Sequence, residues 1–300
     1  MKKLMAMFLG VMVSASLLSG CGQQSDTGGK SSPSAAKAVF DNKKEITVVS
    51  REDGSGTRGA FIELLKIEKK EADGKRKDMT VKEAIIANKT DVMMTNIAGD
   101  AYAIGYISLG SLNSSVKALD IDGVKATSEN VKNKSYKIAR PFNIATKDAP
   151  KGAAKDFIDF IMSREGQAIV SNGYIAIDIN AAPYKTTNPN GKIVVAGSSS
   201  VTPVMEKLVE AYKKLNKDIV IEIQMSDSSA GMKGTIEGTC DIGMASRELT
   251  ENEKSKLASL AIAIDGIAVI VSNDNALNSI SGDNVRKIYT GEIKRWNEIK

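Results

Sequence analysis

The sequence predicts an α/β protein of two lobes, each a mainly parallel sheet flanked by helices. Three observations carry that prediction. Short β-branched runs alternate with amphipathic stretches from Lys43 to the end of the chain, the pattern of parallel strands joined by crossover helices. A strand, then a cluster of Ser, Thr or Gly, then a helix start recurs at residues 53–57, 198–201 and 226–231. Finally, 300 residues suffice for two cores of ordinary size.

The chain opens on an export signal over residues 1–20. Lys2 and Lys3 precede an apolar run too short to span a bilayer. The run ends in Leu18-Ser19-Gly20-Cys21. Residues 21–42 then read as a cysteine and a linker, and the Gly, Ser, Gln and Lys of 22–38 cannot build a core. A coil of that length has a mean reach of roughly 20–25 Å.

The body begins with a strand over 46–49, the turn Arg51-Glu52-Asp53-Gly54-Ser55-Gly56-Thr57 and a helix at helical apolar spacing from Phe61. Residues 66–82 read as a charged surface segment and 80–88 as a helix. Strands are predicted over 91–95, 103–107 and 116–121, with a turn at Asp122-Gly123. Arg140-Pro141-Phe142-Asn143 reads as a crossing between lobes. A helix is expected over 153–170 and a polar loop over 183–191. The second half starts again with a strand over 192–196. A helix over 201–215 follows, its Val201, Val204, Met205, Leu208, Val209, Tyr212 and Leu215 on one face. Strands over 219–225 and 240–245 come next, and an apolar strand over 262–272, broken at Asp265-Gly266, reads as a second crossing.

Composition excludes several functions. Hydrophobic content of 42% with 26% charged residues is that of a water-soluble globular body. The formal charge of +5 falls to +3 without Lys2 and Lys3. Its scattered lysines form no stripe for nucleic acid. The absence of histidine removes Ser–His–Asp triads and His-Glu-x-x-His zinc sites, so neither an enzyme nor a metal or other cofactor is indicated. Cys240 lies in an apolar stretch as a buried free thiol.

The three hydroxyl-rich helix starts point instead to a small oxyanion. Free N–H groups, hydroxyls and an arginine make an anion cradle, though each start alone is equally an N-cap. Arg51 and Arg247 stand at comparable strand ends. None of the three has the Gly-Lys-Ser/Thr ending of a nucleotide P-loop.

Here the residues carry a resemblance. Gly197-Ser198-Ser199-Ser200-Val201, Ser226-Asp227-Ser228-Ser229, Asp241-Ile242-Gly243-Met244-Ala245-Ser246-Arg247 and Tyr289-Thr290-Gly291-Glu292-Ile293 with Trp296 join the Ser50–Thr57 motif. Together they resemble the signature segments of the phosphate-binding proteins of ABC importers, and Leu18–Cys21 resembles a bacterial lipobox. The resemblance implies a type II periplasmic-binding-protein fold, hinged between lobes. It also implies high-affinity phosphate binding without catalysis, delivery to ABC permease subunits, and a lipid anchor at Cys21 that holds a monomer on the outer face of the cell membrane. Carried over by motif, Ser200, the N–H of Val201 and Ser228 donate from one lobe. Arg51, Ser55, Gly56 and Thr57 donate from the other, with Asp53 steering Arg51.

Two departures from the family pattern stand out. Arg247 occupies the position of an acid that accepts the phosphate proton, so it either adds attraction for a dianion or serves as an ion pair elsewhere. Asp53 and Asp227 are the acids in reach to replace it. The motif order also differs: the Arg-x-Asp-Gly-Ser-Gly-Thr segment opens the body instead of following Tyr-Thr-Gly-Glu-Ile. Joining 297–300 to 43–45 restores the family order, so the chain reads as circularly permuted, with its body's ends adjacent. The lobes then become 141–265 and, split in two, 43–140 with 266–300. The rival readings are the same fold holding sulfate or molybdate, and a secreted phosphate-ester hydrolase.

Overall fold

The computed structural model describes residues 40–71 and 76–299. The predicted export signal, Cys21 and the linker as far as residue 39 lie outside the described residues. Strand β1 (Thr47–Arg51) runs through Ser55 into α1 (Gly56–Leu64). A surface hairpin of β2 (Glu68–Lys70) and β3 (Arg76–Asp78) follows. Then come β4 (Ile85–Ala87), α2 (Thr90–Gly99) and β5 (Ala103–Ser108).

Here the structure reverses two sequence expectations. The helix expected over 80–88 is a turn and β4, because Ile85, Ile86 and Ala87 pair in parallel with Val49, Ser50 and Arg51. That ladder overrides the helix propensity of Lys82-Glu83-Ala84. The strand expected over 91–95 is α2, whose buried Thr90, Met93, Met94 and Ile97 recur at steps of three and four. The short run Val92-Met93-Met94 looks like a strand only when taken by itself.

After β6 (Val116–Ala118), β7 (Asp120–Ile121) and α3 (Ser128–Lys132), strand β8 (Ala139–Thr146) crosses the molecule. The single helix predicted over 153–170 is two, α4 (Gly152–Met162) and α5 (Arg164–Val170). Ser163 divides them, its hydroxyl accepting from the Gly166 amide as the cap of α5. Beyond β9 (Ile175–Ala176) come β10 (Gly191–Ser198), α6 (Thr202–Leu215), β11 (Ile219–Ser226), α7 (Ser228–Glu237) and β12 (Ile242–Ala245). Helix α6 carries Pro203 in its first turn, where proline is tolerated. Cys240, buried and free among the described residues, lies just before β12.

A short α8 (Glu251–Lys254) leads into β13 (Ala258–Ser272), and β14 (Ser279–Ile280) and α9 (Gly282–Tyr289) close the fold. The break expected in β13 at Asp265-Gly266 does not occur. Asp265 pairs with Arg140 and Gly266 with Ala139 in an antiparallel ladder with β8, whose one irregularity falls between Ala261 and Ala263. The remainder of β13, from Ile267 to Val271, pairs antiparallel with β5.

One sheet path therefore runs β11-β10-β12-β8-β13-β5-β1-β4. Each end is a parallel triplet, and the two crossing strands join the triplets antiparallel. The apolar core forms two main bodies. One gathers Phe61, Tyr106, Tyr136, Ile267, Val269, Tyr289 and Trp296, the other Phe142, Phe157, Phe160, Val195, Leu208, Tyr212 and Ile262. No helix among the described residues is long and apolar enough to cross a membrane.

The two ends of the body meet, as their motif order leads one to expect. The Ile46 amide donates to the Lys294 carbonyl at 2.8 Å and the Asn297 amide to that of Asn42 at 2.7 Å. The Phe40 ring lies 5.2 Å from Tyr102 and 5.8 Å from Trp296. Residues 40–42, assigned to the linker from sequence, thus belong to the folded body, because Phe40 has an aromatic site to fill. A variant joining residue 300 to Phe40 through about four Gly/Ser residues, and opened between Pro189 and Asn190, is expected to fold. Its thermal midpoint should stay within a few degrees of the parent's, measured by circular dichroism; an unfolded product would show that the ends carry strain.

Candidate functional site

The predicted helix starts converge between the lobes, and the structure brings in a fourth. Ser55 caps α1, Val201 precedes α6, Asp227 caps α7 and Thr90 opens α2. The first-turn amides of a helix have no carbonyl one turn earlier to bond, so four positive helix ends face one region. Gly197 makes the close approach of β12 and α7 possible. Its φ of +130° suits glycine, and a Cβ there would collide with the Met244 carbonyl.

At the centre lies a buried cluster of hydroxyls. Thr57 Oγ1 is 2.9 Å from Ser200 Oγ and 3.2 Å from Ser246 Oγ. Ser246 Oγ is 3.0 Å from Ser198 Oγ and 3.5 Å from Ser228 Oγ, while the Ser246 amide donates to Ser228 Oγ at 3.1 Å. Thr90 Oγ1 stands 3.5 Å from Ser200 Oγ. The lobes are closed on one another here, and the Ser229 amide donates to the Gly54 carbonyl at 3.2 Å.

Arg51 enters this cluster from β1 and is almost wholly buried. Its Nη2 donates to Ser199 Oγ across the cleft at 2.9 Å. Glu52, not Asp53, orients it, accepting from Nε and Nη2 at 2.8 Å each. The predicted steering by Asp53 is therefore corrected. Strand β1 ends at Arg51, and the turn carries Asp53 outward, where its exposed carboxylate pairs with the half-buried Arg58 at 2.7 Å. Beneath Arg51, the Tyr106 hydroxyl accepts from its amide at 3.1 Å and lies 2.9 Å from Ser50 Oγ. Burial pushes that phenol up to about 12, so it stays a neutral support. Phe61 stacks on Tyr106 at 3.8 Å, and Tyr289 donates to the Val49 carbonyl at 3.0 Å.

Of the other predicted residues, Ser55, Gly56, Thr57, Ser200 and Ser228 all lie buried in this region. Ser55 Oγ accepts from the Arg58 amide at 3.3 Å. Val201 lies beside them, but its N–H, predicted to donate into the site, donates to the Ser198 carbonyl at 3.0 Å and its side chain packs in the core. Arg247 turns away. Its guanidinium forks onto Glu253 at 2.7 and 2.9 Å and also bonds the Glu248 carbonyl and Ser229 Oγ. Burial opposes the charge of Glu253, yet the Arg247 guanidinium and the Thr250 amide hold its carboxyl below the usual range. Asp227, a candidate acceptor, spends one oxygen on the Ala230 amide at 2.8 Å.

Several site residues were not named as such from sequence: Ser198, Ser199 and Ser246, although they lie in segments that were singled out, and Thr90, Arg140 and Asp265, the last two on the two crossing strands. Arg140 Nη1 forms a short ion pair with Asp265, and Nη2 lies 3.3 Å from Thr57 Oγ1. Burial disfavours both charges, raising the carboxyl and lowering the guanidinium, while their mutual attraction opposes it. Thr90 had a usable local signal of its own, a Thr-Asp start ahead of helical spacing at 93, 94 and 97. Among the described residues no group of three or more His, Cys, Asp and Glu is placed to hold a metal ion.

The arrangement suits a small tetrahedral anion, with hydroxyls from both lobes, helix ends and a buried guanidinium around one point. Known proteins bear on that reading. The PBP superfamily domain model matches residues 11–165 and 182–299. A phosphate-binding protein PstS 2 from Streptococcus agalactiae serotype V is 54% identical over 261 residues, 86% of this chain and 89% of that protein. A phosphate-binding protein PstS 2 from Streptococcus pneumoniae serotype 4 is 47% identical over 256 residues, 85% of this chain and 88% of that one. The solved structure of a phosphate-binding protein of a phosphate ABC transporter from Streptococcus pneumoniae TIGR4 superposes with a TM-score of 0.69. It is 47% identical and covers 86% of this chain and 100% of its own.

Glycine at 56 lets the lobes meet. A Cβ there would stand 2.5 Å from Ser228 Oγ and 2.9 Å from Ser246 Oγ, whereas at Gly59 the nearest atom would be 3.9 Å away. Gly56→Ala is expected to hold the lobes apart, at a cost of about 1–3 kcal/mol to the closed form. Gly59→Ala, inside α1, is expected to raise stability by up to about 1 kcal/mol. Small-angle scattering and thermal melts of the two variants check this; an unchanged radius of gyration for Gly56→Ala would contradict it.

Proposed function

The chain belongs to the PBP superfamily, and on that premise we propose that it binds inorganic phosphate between its lobes and delivers it to an ABC-type import permease. The observation that carries this reading is the convergence of Thr57, Ser200, Ser228 and Ser246 with Arg51 at one buried point between two lobes. Arg51, Ser55, Gly56, Thr57, Ser200 and Ser228 form the ligand set, with Glu52 orienting Arg51. Arg247 stands outside it because Glu253 already holds its guanidinium. The protein acts as a carrier, releasing unchanged what it binds.

Residues 141–265 form one lobe and 43–140 with 266–300 the other, a division supported by the two separate apolar bodies. Closure follows from one ligand giving both lobes a common partner, which shifts the population toward the closed form. The contact between residues 40–46 and 294–297 supports reading the motif order as a circular permutation. Export with lipid attachment at Cys21 places the monomer at the outer face of the membrane, where a permease receives its ligand.

Calorimetry with phosphate, sulfate and molybdate tests the ligand. Phosphate should bind tightest, and sulfate binding as tightly would overturn the assignment. Arg51→Gln is expected to weaken phosphate binding by about a hundredfold, a charge-assisted bond of roughly 2–3 kcal/mol, while Arg247→Gln changes it by less than about threefold. Cys21→Ser should move the protein from the membrane to the soluble fraction on fractionation; a protein still bound to membranes would refute the anchor.

A further inference from the structure

Arg140 lies on β8 and Asp265 faces it on β13, both buried. One Asp265 oxygen receives Arg140 Nη1 and the Ser108 hydroxyl, the latter at 2.6 Å, and the other receives the Gly110 amide at 3.1 Å. The guanidinium is fixed on its remaining edges as well. Nη1 also donates to the carbonyls of Asp265 at 3.0 Å and Gly266 at 2.8 Å, and Nε to that of Ser246 at 3.3 Å. Nη2 is then aimed at Thr57 Oγ1, 3.3 Å away.

A guanidinium donates and never accepts. Thr57 Oγ1 is therefore the acceptor in this contact, and its own proton must point elsewhere. The other neighbours of that oxygen are Ser200 Oγ at 2.9 Å and Ser246 Oγ at 3.2 Å, which surround the point assigned to the anion. Neutral hydroxyls facing one another are ambiguous, since each can donate or accept. An anion needs donors.

We propose that Arg140, locked by Asp265, is a positioning residue that fixes Thr57 as a hydroxyl donor toward the anion. Both crossing strands thereby take part in ligand recognition as well as in joining the lobes. The same device operates from Arg51, whose Nη2 donates to Ser199 Oγ at 2.9 Å and leaves that hydroxyl's proton to point elsewhere too. This inference rests on the phosphate reading above.

A double-mutant cycle on the full chain tests it, with phosphate affinity read by calorimetry and folding by thermal melts. Thr57→Val removes the hydroxyl at constant shape. Arg140→Gln with Asp265→Asn removes both charges together, so that neither is left buried alone. Each arm is expected to weaken phosphate binding about tenfold, a charge-assisted hydrogen bond's worth. Combining them should weaken it little further, because Arg140 acts through Thr57. Should the paired variant fail to fold, Arg140→Lys replaces it: this keeps the charge beside Asp265, loses the fork, and predicts the same non-additivity. Losses that add, or an Arg140 variant that binds like the parent, would overturn the inference and leave the phosphate reading standing. A parent chain that binds no phosphate would overturn both.

Discussion

A charged pair buried where two strands cross between the lobes sets the terms for everything around it. Moving two ions out of water costs several kcal/mol each, and their attraction offsets this only when every remaining donor and acceptor is used. Around Arg140 and Asp265 most of them are used, by the Ser108 hydroxyl, the Gly110 amide, the carbonyls of Ser246, Asp265 and Gly266, and the Thr57 hydroxyl. The face of the guanidinium also lies 4.8 Å from the Phe142 ring. The result is a polar seam through an otherwise apolar interior. On one side the core gathers around Tyr106 and Tyr289, on the other around Phe160 and Tyr212. Two cores that do not merge let two lobes move as bodies, with the crossing strands as the hinge.

The site beside that seam is built to hold charge without carrying much of its own. Arg51 is balanced by Glu52 and Arg140 by Asp265, so the two arginines bring directed donors with little net charge. Hydroxyls supply the rest. They cost less to bury than ions, and in the closed arrangement Thr57 and Ser246 link the hydroxyls of Ser200, Ser198 and Ser228 into one connected chain. Helix ends add fixed dipoles that need no counter-ion. Attraction for an anion thus comes from the direction of many neutral dipoles, which makes the orientation of each hydroxyl part of the recognition.

What the sequence made legible was whatever is written locally. A strand followed by Ser or Gly and a helix start announces itself within ten residues, and Thr57, Ser200 and Ser228 were found that way. Arg140 and Asp265 were not, because they are 125 residues apart and only the β8–β13 register makes them partners. Asp53 was preferred to Glu52 because its role was carried over with the family's Arg-x-Asp motif; here the strand stops at Arg51, the turn takes Asp53 to Arg58, and Glu52 meets the guanidinium. Arg247 had a readable clue that went unused. Thr250 and Glu253 carry a capping box, and that box places the Glu253 carboxylate where Arg247 reaches it. Residues 80–99 were inverted because a three-residue strand exists only through its partner, β1.

The order of segments along the chain matters less to the site than to how the site is assembled. Ligand-facing helix starts lie at the carboxyl ends of parallel strands whatever the connections between them, so a chain cut elsewhere presents the same cradle. Assembly is different. The core around Phe160 and Tyr212 draws only on residues 142–263, with Ala153, Ile223 and their neighbours packed against it. The core around Tyr106 needs both Phe61 and Tyr289, and the Tyr289 hydroxyl reaches Val49 across 240 positions. Closing so long a loop is entropically slow compared with local pairing. The contiguous core can form while the other waits for α9, and the two crossing strands are shared by both. The buried Arg140–Asp265 pair lies just outside the contiguous core, and because Ser108, Gly110 and Thr57 bond to it from the other lobe, it is completed only when the second core brings them in.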